Sequence, residues 1–401
     1  MEPLPSAEPP LKILMAASVP KRREGGVAAI IYNLGRELEC LGHRVTYIFL
    51  DDLVVPGSVS PRFVELIFSF RLARYIRQHR KDFSLVNLHA PAGLVYGLER
   101  KWRGGDGYPP YVMTLHGLEE RRVRAMRREQ KKGRAWNFNW KNRLWHRVYH
   151  FPRFRWSITT ADAAHTFMRD VWNVLQLNYN LDSSRVAYIP NGIERRFFSS
   201  REYRAGAKVR LLYAGTWLDQ RGIFYIREAL ERIFPKIPKL TMTFAGPGLP
   251  PTEVLRFFGT ELAPRIDVRP VVPWDRMEEL YSEHDILVFP SLMEGLPSVV
   301  MEAMAGGMPV ITTETCGMPD VVENDFNGLL IPPADSAALE AAILRLANSE
   351  ELRRRLGTAA RETMQRHTWE RTGQQFHALC RRVLANEKER SVATGEPQGQ
   401  S

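Results

Sequence analysis

The chain has 401 residues, which exceeds a comfortable single core and favours two domains of Rossmann size. Its hydrophobic share of 44% and charged share of 25% are typical of soluble globular proteins, and no run approaches the roughly 20 apolar residues that cross a bilayer. The net charge of +11 comes almost entirely from residues 119–156, where 13 Lys and Arg stand against 3 Glu, so the rest of the chain is close to neutral.

Cysteine usage and the start of the chain both favour the cytoplasm. The first ten residues lack the basic and then apolar layout of a signal peptide. The three cysteines, Cys40, Cys316 and Cys380, are far apart and have no CxxC or histidine spacing. They indicate buried or incidental thiols in a reducing compartment.

Strands and helices alternate along the first half of the chain. The predicted strands cover residues 11–17, 45–50, 85–89, 111–116 and 157–160. The predicted helices cover residues 24–41, 62–80 and 136–151. Strands that alternate with helices at this spacing imply a parallel sheet built from βαβ units.

The alternation restarts after a turn at residues 189–193 and a polar stretch. Further strands are predicted at 209–214, 240–245, 266–272, 286–289 and 310–312, followed by helices to about residue 386. The resulting domains are a disordered lead (1–10), a first Rossmann-like domain (11–195), a second (196–368), a final helix (369–385) and a disordered tail (386–401).

One segment, residues 289–310, combines two carboxylates with a tight turn. Glu294 stands in a strand-to-helix loop, at the edge of the sheet where open α/β folds bind ligands. The helix that starts after Pro297 offers backbone N–H groups and a positive dipole end, which suit a diphosphate. Glu302 lies inside that helix, so the two carboxylates are expected to bracket a ligand. Because carboxylates accept hydrogen bonds from vicinal hydroxyls, the segment predicts a nucleotide-sugar pocket.

The same segment resembles the Glu-x7-Glu motif of the retaining GT-B glycosyltransferases of family 4. It has the Pro-Ser lead-in and the Glu-Ala-Met-Ala-x-Gly-x-Pro-Val continuation, without a gap. The resemblance covers most of residues 11–385. It implies an α/β fold of the GT-B type, with two Rossmann-like domains facing each other across a cleft. It also implies that the final helix crosses back onto the first domain.

The resemblance further implies an activity. A family member transfers a hexose with retention from a nucleotide sugar, here UDP- or GDP-linked, to a lipid-linked or saccharide acceptor, and needs no cofactor. The expected setting is polysaccharide or glycolipid assembly, in the cytoplasm or peripheral at the cytoplasmic membrane face.

Site residues follow from matching this sequence to the family motif. In similar enzymes the first glutamate, here Glu294, bonds to hydroxyls of the donor sugar, and the second, here Glu302, holds the ribose hydroxyls. Backbone N–H groups at Gly295 and Leu296 approach the diphosphate and the sugar.

Three other positions match family features. His116 ends a strand at the same edge, and in similar enzymes such a histidine points toward the transferred sugar. Gly25 and Gly26 match the glycine loop of the first domain, where the backbone approaches the diphosphate and the acceptor. Val271, within residues 269–272, is expected near the base.

A basic pair is the last element of the family site. The family has Gly-Arg-x-x-x-x-Lys-Gly where this chain has Gly215 to Gly222, so Arg221 fits the second cation and Thr216 replaces the first. Arg221 is expected to steady the departing diphosphate. No Asp-x-Asp occurs in the chain, which predicts a metal-independent reaction. The predicted catalytic residues are Glu294, His116 and Arg221.

The basic segment 119–156 also contains four of the nine tryptophans. Trp140, Leu144, Trp145 and Val148 form an amphipathic stripe. One interpretation is an interfacial patch on anionic lipid. A second is binding of an anionic polymer, with nucleic acid the less favoured partner. A third is that the stripe packs on the first sheet.

Two departures from the family pattern leave an alternative function open. Thr216 removes a cation, and Pro270 stands where the family has glycine. The alternative is a catalytically degenerate GT-B protein that acts as a partner subunit or an anionic-surface binder.

Overall fold

The structure is a computed structural model that describes residues 9–22, 26–55, 57–60, 62–105, 107–134, 140–198 and 208–393. Over these residues the chain forms two parallel six-stranded sheets flanked by helices. The predicted α/β class with two Rossmann-like halves is confirmed.

The first sheet has the strand order β2-β1-β3-β4-β5-β6. Its strands are β1 (Lys12–Ala16), β2 (Arg44–Ile48), β3 (Leu85–His89), β4 (Tyr111–Leu115), β5 (Ala163–Thr166) and β6 (Val186–Tyr188). Its helices are α1 (Gly26–Cys40), α2 (Leu50–Leu53), α3 (Val64–Gln78), α4 (Leu94–Trp102), α5 (Glu119–Lys131), α6 (Trp140–Trp145), α7 (Phe151–Thr159) and α8 (Arg169–Tyr179). A π-helical turn, His146–His150, joins α6 to α7.

The second sheet has the order β12-β11-β10-β7-β8-β9. Its strands are β7 (Arg210–Ala214), β8 (Thr241–Ala245), β9 (Ile266–Arg269), β10 (Ile286–Phe289), β11 (Val310–Thr313) and β12 (Leu329–Ile331). The helices are α9 (Ile223–Ile233), α10 (Pro251–Leu262), α11 (Met277–Glu283), α12 (Ser298–Ala305), α13 (Ser336–Asn348), α14 (Glu350–Met364) and α15 (Trp369–Ala393).

The central strands are buried on both faces. Every residue of β3, β4, β10 and β11 is buried. Near-continuous apolar strands are what a parallel sheet covered by helices on both sides requires. The core therefore lies along the middle of each sheet, and the polar residues that follow the strand ends are left for a site.

The predicted strand at residues 157–160 is wrong. These residues end α7, and the strand comes later, as β5. The hydroxyls of Thr159 and Thr160 donate to the carbonyls of Arg155 and Trp156, at 2.9 and 2.7 Å. Such bonds to the carbonyl four residues earlier accommodate β-branched residues in a helix, against their strand preference.

Other predicted boundaries also change. The strand predicted at 266–272 ends at Arg269, because Pro270 has no N–H to continue the ladder. The predicted disorder from residue 386 is wrong for residues 386–393, which continue α15. Glu387 forms an ion pair with the buried Arg100 at 2.5 Å, and this contact to the first domain extends the helix. Residues 394–401 lie outside the described part of the chain.

The chain crosses between the two sheets at neighbouring points. Ile193, after β6, pairs with Thr368, just before α15, and its N–H donates to the His367 carbonyl at 2.8 Å. Helix α15 then packs on α1, where a side-chain carbon added at Gly373 would lie 2.5 Å from Glu37 Cβ. The two crossings together connect the halves of the molecule.

Candidate functional site

The carboxyl edges of the two sheets face each other. Gly295, after β10, lies against the carbonyl oxygen of His116, after β4; a side-chain carbon at position 295 would lie 2.5 Å from that oxygen. The Arg169 N–H, after β5, donates to Asp320, after β11, at 2.7 Å. Ligands of open α/β folds bind at this edge, so the cleft lies where both halves present it.

Glu294 and Arg221 meet in this cleft. The Nε of Arg221 donates to Glu294 Oε1 at 2.7 Å, and its Nη1 lies 3.5 Å from the Thr216 carbonyl oxygen. Burial alone would lower the pKa of Arg221, but the Glu294 carboxylate and the Tyr213 hydroxyl outweigh it and raise that pKa. Two of the predicted catalytic residues are therefore paired as a cation and an anion.

Two glycines shape the Arg221 loop. Gly215 and Gly222 have φ angles of +141° and +76°, which side chains rarely adopt. A side-chain carbon at Gly215 would collide with the Arg221 guanidinium, and one at Gly222 with the Pro290 carbonyl. The family glycines of this loop thus allow it to lie directly against the loop that carries Glu294.

Glu302 is buried in the first turns of α12. Its Oε2 accepts a hydrogen bond from the Tyr281 hydroxyl at 2.7 Å, and only 3% of the residue is exposed. Burial raises the pKa of Glu302 to about 7, although the Tyr281 hydroxyl and Arg196 oppose the shift. The carboxyl group is therefore poised between its two protonation states near neutral pH.

A narrow cavity of about 20 Å³ lies beside Glu302. It is lined by residues of both domains and of both crossings, among them Asn33, Glu194, Trp274, Ser298, Glu302 and Trp369. This volume is close to what one water molecule requires.

His116 lies at the end of β4 beside a second histidine. Its Nε2 is 2.7 Å from Nδ1 of His89, the last residue of β3, and the two rings stack with centroids 4.9 Å apart. Burial and the nearby His165 lower the pKa of His116 to about 3. Sequence reasoning found His116 through the family motif but missed His89, because a buried histidine inside a strand has no signal of its own.

The remaining predicted residues that the structure describes have different surroundings. Gly26 begins α1 with a φ of +65° and open space around it, and Gly25 lies outside the described residues. Leu296 is buried in the loop with Gly295, whereas Val271 is 80% exposed after β9. The structure thus places Val271 on the surface of the second domain.

Within the described residues, one group has its ligand atoms close enough together for a metal ion: Glu119, His146 and His150. Arg122 Nε already lies 3.2 and 3.0 Å from the two oxygens of Glu119, and His146 Nδ1 lies 2.8 Å from one of them. Burial alone would raise the pKa of Glu119, but hydrogen bonds from His146 and Arg122 lower it to about 2. We interpret the group as an ion-pair cluster that fixes α5 to the π-helical turn, because a cation there would face Arg122.

The basic segment has two parts with different surroundings. The end of α5 contacts the second domain through an interdomain latch, which consists of Glu129, Lys132, Arg134, Tyr225 and Glu228. Farther along, Leu144 and Val148 are 53% and 67% exposed. The interpretation that the whole stripe packs on the first sheet is therefore wrong for these two residues. The side chains of Trp136 and Trp140 lie outside the described part.

Known structures share this architecture. Sucrose-phosphate synthase from Thermosynechococcus elongatus aligns with a TM-score of 0.75 at 20% identity, over 94% of this chain and all of the other. HepE from Anabaena, solved in complex with UDP-glucose, aligns with a TM-score of 0.64 at 15% identity, over 92% of this chain and 98% of the other. These similarities show the fold.

Two family models match adjoining parts of the chain. The model described as Glycosyltransferase Family 4 matches residues 24–197, and the model described as Glycosyl transferases group 1 matches residues 195–363. The chain belongs to the GT-B glycosyltransferases of the family 4 type. The predicted resemblance to this family is confirmed.

A curated relative of this chain is an uncharacterized glycosyltransferase of Methanocaldococcus jannaschii. It is 26% identical over 263 residues, which are 65% of either chain. The match thus spans slightly less than two thirds of the relative's length. Among the described helices, none is both long and apolar enough to cross a bilayer.

Proposed function

We propose that this glycosyltransferase moves a hexose from a nucleoside diphosphate sugar to a hydroxyl acceptor, with retention and without a metal ion. The observation that carries the proposal is the pairing of Glu294 with Arg221, at 2.7 Å, in a cleft closed by His116 of the other domain. A carboxylate suits sugar hydroxyls, and a guanidinium beside it suits a diphosphate.

The role of Arg221 rests on the geometry of its guanidinium. Arginine presents five N–H donors in a planar fork; here Nε donates to Glu294 and Nη1 to the Thr216 carbonyl, which leaves further N–H groups of the guanidinium for a ligand. We assign the outer N–H groups to the diphosphate, whose negative charge grows as the glycosidic bond breaks. The neighbouring start of α12, with its positive dipole end, adds to this stabilisation. Arg221 thereby acts without the cation that Thr216 replaces.

Glu302 is assigned to the ribose hydroxyls. It lies eight residues beyond Glu294 and beside a cavity to which both domains contribute. A buried carboxylate that loses its proton when hydroxyls arrive gains their hydrogen bonds, which favours binding above its pKa of about 7. A uridine donor is the first to test, since HepE, of the same fold, binds UDP-glucose.

We propose a front-face substitution for the transfer. Glu294 is committed to Arg221 and to sugar hydroxyls, so it is not placed as the nucleophile. A leaving phosphate oxygen accepts the proton of the acceptor hydroxyl while the new glycosidic bond forms on the same face. The product then keeps the anomeric configuration of the donor, which nuclear magnetic resonance of the isolated product measures.

Two variants test these roles. Glu302→Gln should weaken donor binding about tenfold, measured by calorimetry with UDP and GDP. Arg221→Ala should lower kcat by about tenfold to a thousandfold with a smaller change in KM, because it removes a group that acts on the transition state. Activity should persist in the presence of a chelator.

Arg345→Ala is the matched control for Arg221. Arg345 pairs with Asp325 at 2.6 Å on the surface of the second domain. The Arg345→Ala variant should leave kcat and KM unchanged. Wild-type turnover by both Glu302→Gln and Arg221→Ala would refute the assignment, and a requirement for a divalent ion would refute the metal-free part.

We also propose that a lipid surface carries the acceptor. The Leu144 face consists of the exposed side chains Arg62, Phe63, Leu144, Arg147 and Val148. Phe63 packs edge-on against Trp145 at 5.8 Å, which joins the start of α3 to α6. Apolar side chains flanked by arginines suit the headgroup layer of an anionic bilayer, at about 1 kcal/mol per basic residue.

Vesicle flotation tests this surface. The double variant Leu144→Asp, Val148→Asp should lose binding to vesicles with anionic lipid at low salt. Leu177→Asp is the control, since Leu177 is 82% exposed and lies on α8, a helix that contributes no residue to this face. Absence of wild-type binding at low salt would refute the proposal.

A further inference from the structure

A chain of hydrogen bonds runs through the buried polar residues behind His116. It joins Asn87 and His89 of β3 to His116 after β4. Asn87 is fully buried and His89 is 1% exposed, whereas His116 is partly exposed at the cleft. This series of hydrogen bonds therefore leads from the core to the site. The donor and the acceptor of each bond can be assigned in turn.

Asn87 sets the direction. Its Nδ2 lies 3.1 Å from the Val112 carbonyl oxygen and 2.8 Å from Thr114 Oγ1. A carbonyl oxygen only accepts, so the atom facing it must be the amide nitrogen. Asn87 Oδ1 is then the atom 3.0 Å from His89 Nε2, and an amide oxygen only accepts as well. His89 Nε2 must therefore carry a proton.

The proton on His89 Nε2 determines the next hydrogen bond. Burial and the nearby His116 and His165 lower the pKa of His89 well below its ordinary value of 6.5, so the ring is neutral and its Nδ1 has no proton. That Nδ1 can only accept from His116 Nε2, 2.7 Å away. His116 is neutral too, and its Nδ1 is left as an acceptor.

We propose that His89 is a positioning residue for the transfer reaction. It holds His116 in the Nε2–H tautomer, so that His116 Nδ1 accepts a hydrogen bond from a hydroxyl of the bound sugar and cannot donate a proton to the leaving group. The inference rests on the proposed function. It requires a substrate hydroxyl that donates at this position, and it leaves the proton of the acceptor hydroxyl to the departing phosphate.

His89 offers two informative substitutions. In His89→Asn, the side-chain oxygen is bonded to Cγ, as Nδ1 is in histidine, and still accepts from His116. His89→Leu removes the acceptor. The leucine variant should lose about tenfold to a hundredfold in kcat/KM, the range for groups that orient a site residue, whereas the asparagine variant should stay within a few-fold of wild type.

His165→Asn is the matched control. His165 is as buried as His89, but its Nδ1 faces Thr114 Oγ1 at 3.2 Å and its Nε2 faces the Ile189 carbonyl at 3.2 Å. This variant should lower the unfolding temperature while leaving kcat/KM and the His116 tautomer unchanged. Thermal melts of all three variants check that each is folded.

The tautomer is measured without any substrate. In the chain labelled with nitrogen-15 at its ten histidines, long-range proton–nitrogen spectra distinguish protonated from unprotonated ring nitrogens. The His116→Gln spectrum identifies the His116 signals. We expect a protonated Nε2 in wild type and in His89→Asn, and a mixture of tautomers in His89→Leu.

Two outcomes would overturn the proposal: an Nδ1–H or cationic His116 in wild type at neutral pH, or wild-type kcat/KM in folded His89→Leu. These outcomes are distinguishable from failure of the proposed function. If the protein shows the expected His116 tautomer but transfers no sugar from any nucleotide donor, the proposed function is refuted, and with it the role of His89. If the protein transfers sugar while His116 is in the Nδ1–H tautomer, only the role of His89 is refuted.

Discussion

At the scale of single residues, Glu302 combines a binding role with a cost in stability. It is 3% exposed, and burial holds its pKa at about 7 against an ordinary value of 4.5. Between these two pH values the folded chain keeps a proton that the unfolded chain has lost. Stability therefore falls as the pH rises from about 4.5 to 7, and this effect is level above 7.

Glu302→Gln should remove this loss of stability. Its free energy of unfolding should exceed that of wild type by an amount that grows through the same window, to about 3 kcal/mol above pH 7. Urea unfolding at pH 5 and pH 8 measures the difference. The variant thus binds donor more weakly while folding more stably.

A surface glutamate provides the control of opposite sign. Lys236 and Arg232 lower the pKa of Glu340. The ionised Glu340 therefore stabilises the folded chain at neutral pH, and this stabilisation is lost in acid. Glu340→Gln should therefore lower stability at neutral pH. Parallel curves of stability against pH for wild type and Glu302→Gln would contradict the buried, protonated carboxyl group described here.

The candidate site could be predicted residue by residue only where a motif carried it. Glu294, Glu302 and Arg221 stand at family spacings. The structure brings Glu294 and Arg221 together as an ion pair. Tyr281 and His89 have no such spacing, because they come from a separate helix and strand and meet their partners only in the fold. Pairings between distant elements lie beyond local pattern.

At the scale of the elements, the loop between β10 and α12 is packed against the other domain. A side-chain carbon at Gly295 would lie 2.5 Å from the His116 carbonyl oxygen. Gly295→Ala should lower kcat/KM more than tenfold and change the unfolding temperature little. The clash is relieved when the domains separate, so closure is affected and folding is not.

Gly306→Ala is the matched control for this loop. A side-chain carbon there would have neighbours no nearer than 3.6 Å, an ordinary contact. It should leave steady-state kinetics unchanged. A fully active Gly295→Ala enzyme would show that the close approach of this loop to His116 is not part of the reactive state.

Most elements could be predicted from sequence because apolar runs flanked by polar turns mark strands of a parallel sheet. The errors share a cause. Ile158, Thr159 and Thr160 are β-branched, yet they stand at the end of α7, where Gly97 packs against Thr160. Residues 386–393 are polar, yet Glu387 extends a helix through its ion pair with Arg100. In both places tertiary contact outweighs local preference.

At the scale of the whole molecule, the interdomain latch links α5 to α9. The Tyr225 hydroxyl lies 2.9 and 2.8 Å from the two oxygens of Glu129, which is 3% exposed, and Lys132 Nζ donates to the same hydroxyl at 2.9 Å. Tyr225→Phe should cost about 1–3 kcal/mol at this contact and favour the open form. Small-angle scattering should report a larger radius of gyration without donor.

Tyr108→Phe controls for the loss of a hydroxyl. Tyr108 bonds to Glu99 at 3.0 Å within the first domain. The Tyr108→Phe variant should lower stability without changing the radius of gyration. An unchanged radius in Tyr225→Phe would show that this contact does not hold the domains together.

The neighbouring crossings at Ile193 and Thr368 have a consequence for how the enzyme moves. Because both connections pass through one place, we expect the second domain to rotate about that place when the cleft opens. A pair of spin labels, one on each domain, would report this rotation as a change in the distance between them.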